Sequence, residues 1–430
     1  MNTKGRLILS HYRNILAGDS SIIRQEGILQ KVAILGSGST LAQGFMIIYA
    51  ILVARHLKPD GYGLFTATYT TLALSSVLYN WGLDTWLLRQ ASISNQPYKL
   101  LGDVYIIKSF LGLLCGVTLH LGLPFLGKNI FTLPLLTIAI FDVWFDSLFN
   151  SEIAMLNALR RNRMASFLLV VSRCARLIIA LGLILIGIKS PVTFAFGRFS
   201  GTFITLIISW FIAPPKIESN PLRRTIEVFI TSIPYGVSDM LATIYLQADV
   251  SLLAILSGEK RDVGVYAPAS SLVNALFIIP AAGFSVMVPY LTSQYQNKAS
   301  LFKSMSKIMF IGFGILGTAL WLGLSLSSNL LVKILLGSEF AITGRLIVIL
   351  SPILLMKSLN FGCATFLVST GLQSRRIIPQ GLSALANIAL NLVLIPLYGV
   401  WGVAWAYVAS EAILLGGYLT LTIKWFKINP

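Results

Sequence analysis

Charge is scarce in this chain. Asp, Glu, Lys and Arg make up 11% of its 430 residues, against about 25% in a soluble domain, and that shortage excludes a water-soluble globular protein. Acid is scarcer than base: 16 Asp and Glu stand against 33 Lys and Arg, a formal net charge of +17. Cysteine and histidine are nearly absent, at three each. Cys115, Cys174 and Cys363 all fall in apolar runs, so no disulfide in an outer loop is expected. His11, His56 and His120 lie too far apart to offer metal-ligand spacing, and no metal site is expected. Segments of alternating polarity, the mark of a membrane barrel, are missing. So are a Ser-His-Asp order and a nucleophile elbow. Neither an enzyme nor a cofactor is expected.

What the chain has in abundance is apolar sequence: 56% hydrophobic residues and a mean hydropathy of +0.79. Runs of about 18 or more apolar residues cross a hydrocarbon core of about 30 Å. In lipid each backbone polar group must bond internally, so the runs are helices. Twelve spans are expected, at 30–54, 62–85, 102–124, 131–156, 165–188, 192–213, 228–257, 263–291, 305–327, 343–370, 378–395 and 402–423. The expected organisation is a tail at 1–29, a six-helix bundle at 30–213, a linker at 214–227, a second bundle at 228–423 and a tail at 424–430. Two readings of the first tail stand: an interfacial amphipathic helix, with Leu7, Ile8, Tyr12 and Ile15 against Arg6 and Arg13, or a disordered basic segment. It has no apolar core with a cleavage site, so it does not read as a secretory signal.

The basic residues orient the spans. With the N-terminus inside, the inside segments hold 20 Lys and Arg and the outside loops 7; the remaining 6 of the 33 lie within spans. The positive-inside rule therefore places both termini in the cytoplasm of a cell whose inner membrane holds the protein. The positive charge is scattered over inner loops and gathers on no face, so nucleic acid is not an expected partner.

Arg55 to Arg89 organises the first bundle. An apolar helix ends at Ala54, the loop Lys58-Pro59-Asp60-Gly61 turns the chain, and a second helix runs from Tyr62-Gly63 to Asp84. A weaker copy recurs 201 residues later: Val263-Gly264-Val265-Tyr266 echoes Tyr62-Gly63-Leu64-Phe65. The two stand six spans apart, an even number. The halves would then be parallel repeats about an axis along the membrane normal. Gly312-Phe313-Gly314-Ile315-Leu316-Gly317 fits G-x-G-x-x-G but lies inside span 9 with no strand before it, so it reads as close helix packing rather than dinucleotide binding. Gly36-Ser37-Gly38-Ser39 in span 1 reads as close helix approach or as a flexible point in that span. Pro234, Pro268, Pro280, Pro289 and Pro352 fall within spans and are expected to kink them.

Charges inside the spans carry whatever chemistry exists. Each costs about 2.5–3.5 kcal/mol at a helix centre and needs a partner or a wet cavity. Lys108 and Arg345 lie near span ends and are expected to snorkel. Arg173 and Arg176 share one face of span 5, and Asp142 and Asp146 one face of span 4. Depth matches Arg173 with Asp146 and Arg176 with Asp142. Two readings stand here: interhelical ion pairs that hold the hairpin, or cations that face a cavity and meet an anionic substrate group. Arg198 and Lys357 show no equally clear partner and are cavity candidates by elimination. Arg89 sits at the inner mouth. Asp239 and Asp249 in span 7 are candidates for a coupling Na⁺ or H⁺, or are structural acids.

Arg55-His56-Leu57-Lys58-Pro59-Asp60-Gly61-Tyr62-Gly63, with Gly82-Leu83-Asp84 and Arg89, resembles the first hairpin of bacterial polysaccharide (O-antigen type) flippases, of the multidrug/oligosaccharidyl-lipid/polysaccharide exporter superfamily. Asn387, Asn391-Leu392, Ile395-Pro396, Gly399, Gly402-Val403-Ala404 and Ala406 resemble that family's last two spans, and Leu335 to Phe340 its segment before span 10. Lys58 departs from the glycine such loops often carry. The resemblance implies a V-shaped pair of six-helix bundles, no cofactor, and movement of an undecaprenyl-diphosphate-linked oligosaccharide to the outer leaflet. Membrane lipids, a polysaccharide polymerase and glycosyltransferases are the partners it suggests. Arg173, Arg176, Arg198, Lys357 and Arg89 are then the expected contacts for diphosphate or sugar. Two alternatives remain. A cation-coupled drug or solute antiporter would place the substrate on Asp239 and Asp249. A membrane polymerase or ligase would need a larger outer loop than any here.

Overall fold

In a computed structural model, residues 40–126, 130–216, 222–297 and 299–428 are described, and among them the chain is helical with no strand. The N-terminal tail and Gly36 to Ser39 lie outside those residues. So do several side chains of span 7, Pro234 and Asp239 included. The helices are α1 (40–75), α2 (Val77–Asn80), α3 (Leu83–Ala91), α4 (Pro97–Leu126), α5 (Leu133–Ala158), α6 (Asn162–Leu185), α7 (Pro191–Ile212) and α8 (Leu222–Ser257). There follow α9 (Lys260–Ala275), α10 (Ile278–Asn297), α11 (Ala299–Leu335), α12 (Ala341–Leu350), α13 (Pro352–Ser369), α14 (Ile377–Tyr398) and α15 (Val400–Ile428). Among the described residues, ten helical stretches are long and apolar enough to cross a membrane.

The first of those stretches, Thr40–Asn80, holds 41 residues. Straight, it would run about 60 Å, twice a hydrocarbon core. It is not straight. Lys58 takes φ 62°, the left-handed conformation that ends one helix, and Pro59 with its fixed φ starts the next. Tyr49 and Tyr69 consequently lie within electrostatic reach of the same Arg198 and Asp142. The hairpin is therefore real, but its expected four-residue loop is a single turning residue. With α1 folded in two, and α8 beside the ten, the helices account for the twelve crossings expected. Further boundaries differ for local reasons. The second crossing breaks at Trp81-Gly82, where φ is 38° and 66°. Span 8 breaks between α9 and α10 at Leu276, four residues before Pro280, whose ring clashes with that carbonyl. Span 10 breaks at Ser351, just before Pro352.

The cores arrange these helices. At the end that carries Lys58, one apolar cluster runs without interruption through both halves, from Val53, Phe65, Phe131 and Phe194 to Val265, Phe340, Leu354 and Val403. At the other end, which carries Arg89, two clusters are separate. One joins Leu87, Leu101, Phe149, Leu168 and Leu206; the other joins Leu291, Phe302, Phe366 and Tyr418. The halves thus share a core at the Lys58 end and part at the Arg89 end. The helix α8 links them, with Val228 in the first half's cluster and Val250, Leu253 and Ala254 in the shared one.

Glycines permit the junction. A Cβ on Gly63 would overlap the Lys260 carbonyl, and one on Gly264 would overlap the Pro59 carbonyl. Each carbonyl lies four residues before the partner glycine, so the contact is reciprocal. Lys58 Nζ meets Glu339 at 2.6 Å beside it, and Arg55 Nη1 donates to the Ile334 carbonyl at 3.1 Å. Within α11, Gly317 packs so near Leu355 and Ser358 that a Cβ would come within 2.9 Å of both, whereas a Cβ on Gly312 would meet nothing within 4 Å and one on Gly314 only Leu359 at 3.9 Å; of the G-x-G-x-x-G run, Gly317 alone plays the close-packing role expected. Gly63→Ala and Gly264→Ala should each cost on the order of 1–3 kcal/mol by overpacking. Thermal unfolding in detergent checks this against Gly44→Ala, where a Cβ meets nothing within 4 Å and little change is expected.

Candidate functional site

At mid-depth in the first half, α5, α6 and α7 bring five charges together. Asp142 and Asp146 stand one helical turn apart on α5; Arg173 and Arg176 point at them from α6, and Arg198 from α7. Arg198 Nε lies 2.8 Å from Asp142 Oδ2, and Thr202 Oγ1, one turn further along α7, donates to Asp142 Oδ1 at 2.5 Å. The Arg198 guanidinium also covers the Tyr69 ring, 4.0 Å from its centroid, a contact worth ~1–2 kcal/mol where water is excluded. Arg176 makes a short ion pair with Asp146, and Arg173 reaches the same oxygen at 3.7 Å. Gly201 makes room for this: a Cβ there would sit 2.9 Å from Arg176 Cγ.

These contacts revise the pairing expected from depth. Arg176 pairs with Asp146 and not with Asp142, and Asp142 belongs to Arg198, which therefore does have a partner. The reason is that α5 packs along α7 as well as α6, and a depth match within one hairpin cannot see the third helix. The count is three arginines to two aspartates, 3 − 2 = +1. Asp142 and Arg176 are fully buried, and Arg176 Nε and Nη1 have no hydrogen-bond partner among the described residues. Arg173 and Arg198 keep side-chain exposures of 17% and 16%, so the cluster has an accessible edge.

Lys357 is also paired, contrary to expectation. Its Nζ lies 2.6 Å from Glu411 Oε1, and Asn360 Nδ2 donates to Glu411 Oε2 at 3.1 Å. Lys357 remains 14% exposed while Glu411 is buried. The structure therefore brings Arg173, Arg176 and Arg198 together and leaves Lys357 as a separate pair in the second half. Arg89 is exposed at its own end, with Nη1 donating to the Tyr235 hydroxyl at 2.5 Å, and belongs to neither group. Lys108 does not snorkel. It is fully buried and spends its protons on Asp84, at 2.8 and 2.9 Å, and on the Ser147 carbonyl at 3.0 Å. Arg345 is exposed.

Asp249 occupies a different setting, at the Lys58 end of α8. Asn391 Nδ2 donates to its Oδ1 at 2.7 Å and the Tyr266 hydroxyl to its Oδ2 at 3.5 Å; Asn391 also bonds Asn387, which reaches Ser410. The carboxyl is buried, and its hydrogen-bond partners are neutral. The Asn387/Asn391 pair, one helical turn apart, is visible as sequence, but its link to Asp249 spans 142 residues. The three cysteines are free, and no group of metal-binding side chains occurs among the described residues.

Between the halves, near the Lys58 end, lies an apolar cleft of about 200 Å³ lined by Met46, Ala50, Tyr62, Pro268, Leu272 and Leu336. It opens beside the shared core.

Residues 28–296 match the family model described as "Polysaccharide biosynthesis protein". A protein of Shigella dysenteriae named "Putative O-antigen transporter" is 24% identical over 249 residues, which cover 53% of this chain and 59% of that relative's length. Among solved structures, an inward-facing multidrug resistance MATE family transporter of the MOP superfamily superposes with a TM-score of 0.68 at 13% identity, covering 88% of this chain and 93% of that one. The lipid II flippase MurJ in an inward closed conformation gives 0.68 at 16% identity, over 91% and 87%. An outward-facing MATE transporter gives 0.58 at 13% identity, over 92% and 95%. At these identities the likeness is one of fold.

Removing one member of a buried pair strands its partner's charge, which costs ~3–5 kcal/mol. Asp142→Ala should therefore destabilise the protein strongly, whereas the double change Asp142→Leu with Arg198→Met should cost clearly less. Unfolding in detergent, run as a double-mutant cycle, reads the difference.

Proposed function

Because the chain belongs to the polysaccharide biosynthesis protein family, we propose that it flips an undecaprenyl-diphosphate-linked oligosaccharide from the inner to the outer leaflet by alternating access. The observation that carries this reading is the +1 excess of guanidinium over carboxylate at mid-depth. A diphosphate is the most costly part of such a cargo to move through hydrocarbon. Asp142 and Asp146 hold the arginines in place without it. The excess charge and the open edges of Arg173 and Arg198 offer it a bidentate landing, while the buried Arg176 holds Asp146 behind them. Lys357 faces the cargo from the second half, and Arg89 helps capture the headgroup at the entrance. The apolar cleft beside Tyr62 and Pro268 suits the isoprenoid tail, which can stay at the edge of the bilayer while the headgroup crosses.

The protein sits in the cytoplasmic membrane with both termini inside. The shared core then lies at the outer surface, and the parted Arg89 end opens to the cytoplasm, where the cargo is made. Asp249, held by neutral amides and a tyrosine, is the coupling site for Na⁺ or H⁺, with Asp239 on the same helix as its companion. A polymerase and glycosyltransferases would act after and before it. A drug or solute antiporter is the second reading, favoured by the MATE likeness and by the cation-free setting of Asp249. In that case drug resistance would rise on expression and the arginines would be dispensable.

Single alanine variants of Arg173, Arg176, Arg198, Lys357 and Arg89, scored by surface polysaccharide at matched protein levels, test the site. The reading expects the largest losses at Arg173 and Arg198. Normal polymer in all five would sink the assignment.

A further inference from the structure

Among the described residues, five membrane-embedded carboxyls have a cation beside them: Asp84 has Lys108, Asp103 has Arg224, Asp142 has Arg198, Asp146 has Arg176 and Arg173, and Glu411 has Lys357. Asp249 does not, and the coupling role proposed above uses it. Glu152 is the other exception, and nothing above uses it. It is wholly buried on α5, six residues before the helix ends at Ala158, or about 9 Å from the Arg89 end.

The hydrogen bonds round Glu152 decide its protonation state. Its Oε1 lies 2.7 Å from the Tyr105 hydroxyl, and its Oε2 has no partner among the described residues. The Tyr105 oxygen accepts from Trp210 Nε1 at 3.0 Å and lies 3.3 Å from the Leu148 carbonyl. A phenol has one proton. If Glu152 were ionised, that proton would go to it, and a carboxylate with one neutral donor and one bare oxygen would face an apolar core. If Glu152 is protonated, it donates to Tyr105, Tyr105 donates to Leu148, and Trp210 donates to Tyr105. Every proton in the chain then has an acceptor, and no charge is left buried without a cation beside it.

No neighbour reverses this choice. From α3, Asp84 is held by Lys108 and Ser151, and Arg89 by Tyr235. From α4, Tyr105 faces the carboxyl, Lys108 is committed to Asp84 and Ser147, and Asp103 to Arg224. From α6, Arg173 and Arg176 are on Asp146; from α7, Trp210 faces it, and Arg198 is on Asp142. On α5 itself Asp142 and Asp146 are paired, and Arg160, Arg161 and Arg163 beyond its end are exposed.

We propose that Glu152 is a proton-binding site of the first half. It holds a proton while α4, α5 and α7 close round it and releases the proton when water reaches it during the cycle. The site is separate from Asp249, so the two halves would each carry a titratable site of their own. Only the final step, release during the cycle, rests on the transporter reading.

Two measurements test this. Infrared difference spectra of membrane-embedded wild type against Glu152→Gln, at neutral pH, should show the carbonyl band of a protonated carboxyl that the variant lacks. A wild type with only carboxylate bands at that position overturns the proposal. The amide of the Glu152→Gln variant keeps the shape and donor of the protonated acid, so this variant should reach wild-type amounts in the membrane. If the proton cycles, it loses surface polysaccharide and Glu152→Asp restores part of it. Full export by Glu152→Gln overturns the proposal, because a merely structural neutral acid would be replaced without loss. Should deletion of the whole protein leave surface polysaccharide unchanged, the transporter reading falls, and the infrared result alone decides whether the proton site exists.

Discussion

A guanidinium cannot shed its charge, so an arginine that cannot reach water must share a carboxylate. In the first half this constraint sets the packing. Asp146 serves two arginines and Asp142 a third, which draws α6 and α7 onto α5. The approach is close enough that Gly201 leaves no room for a methyl against Arg176. The arrangement is satisfied in charge sign yet one carboxylate short. That shortage distinguishes it from Lys357 with Glu411 in the second half, where the charges balance. A site left short of anion is a site that gains by receiving one.

The second constraint is how the halves meet. A continuous core joins the halves at the Lys58 end, and two separate cores lie at the Arg89 end. Gly63 and Gly264 bring backbone against backbone at the joint, without long side chains to rearrange. The helix α8 crosses from one half to the other: Arg224 pairs with Asp103 at one end and Asp249 bonds Asn391 at the other. A change at Asp249 is therefore physically connected to the first half through a single helix.

Much of the fold is legible in the sequence, because hydrocarbon dictates helix length. The hairpin at Pro59 and the breaks near Pro280 and Pro352 follow from local rules. Lys58 as a left-handed residue is not legible, since that conformation usually calls for glycine. The site is half legible. Arg173 with Asp146 follows from depth within one hairpin, while Arg198 with Asp142 and Lys357 with Glu411 depend on which non-consecutive helices pack together. Lys108 escapes the sequence argument because its distance from a span end ignores an acid on another helix, Asp84. Glu152 is visible as an intramembrane acid, but its lack of a cation emerges only when every neighbouring charge has been assigned.

The central claim is that the excess positive charge at mid-depth carries a lipid-linked anion across the bilayer. The most direct measurement is the leaflet on which lipid-linked oligosaccharide accumulates in a strain lacking this protein. The account predicts oligosaccharide trapped on the inner leaflet and released when the protein is restored. Unchanged distribution between the leaflets would contradict it.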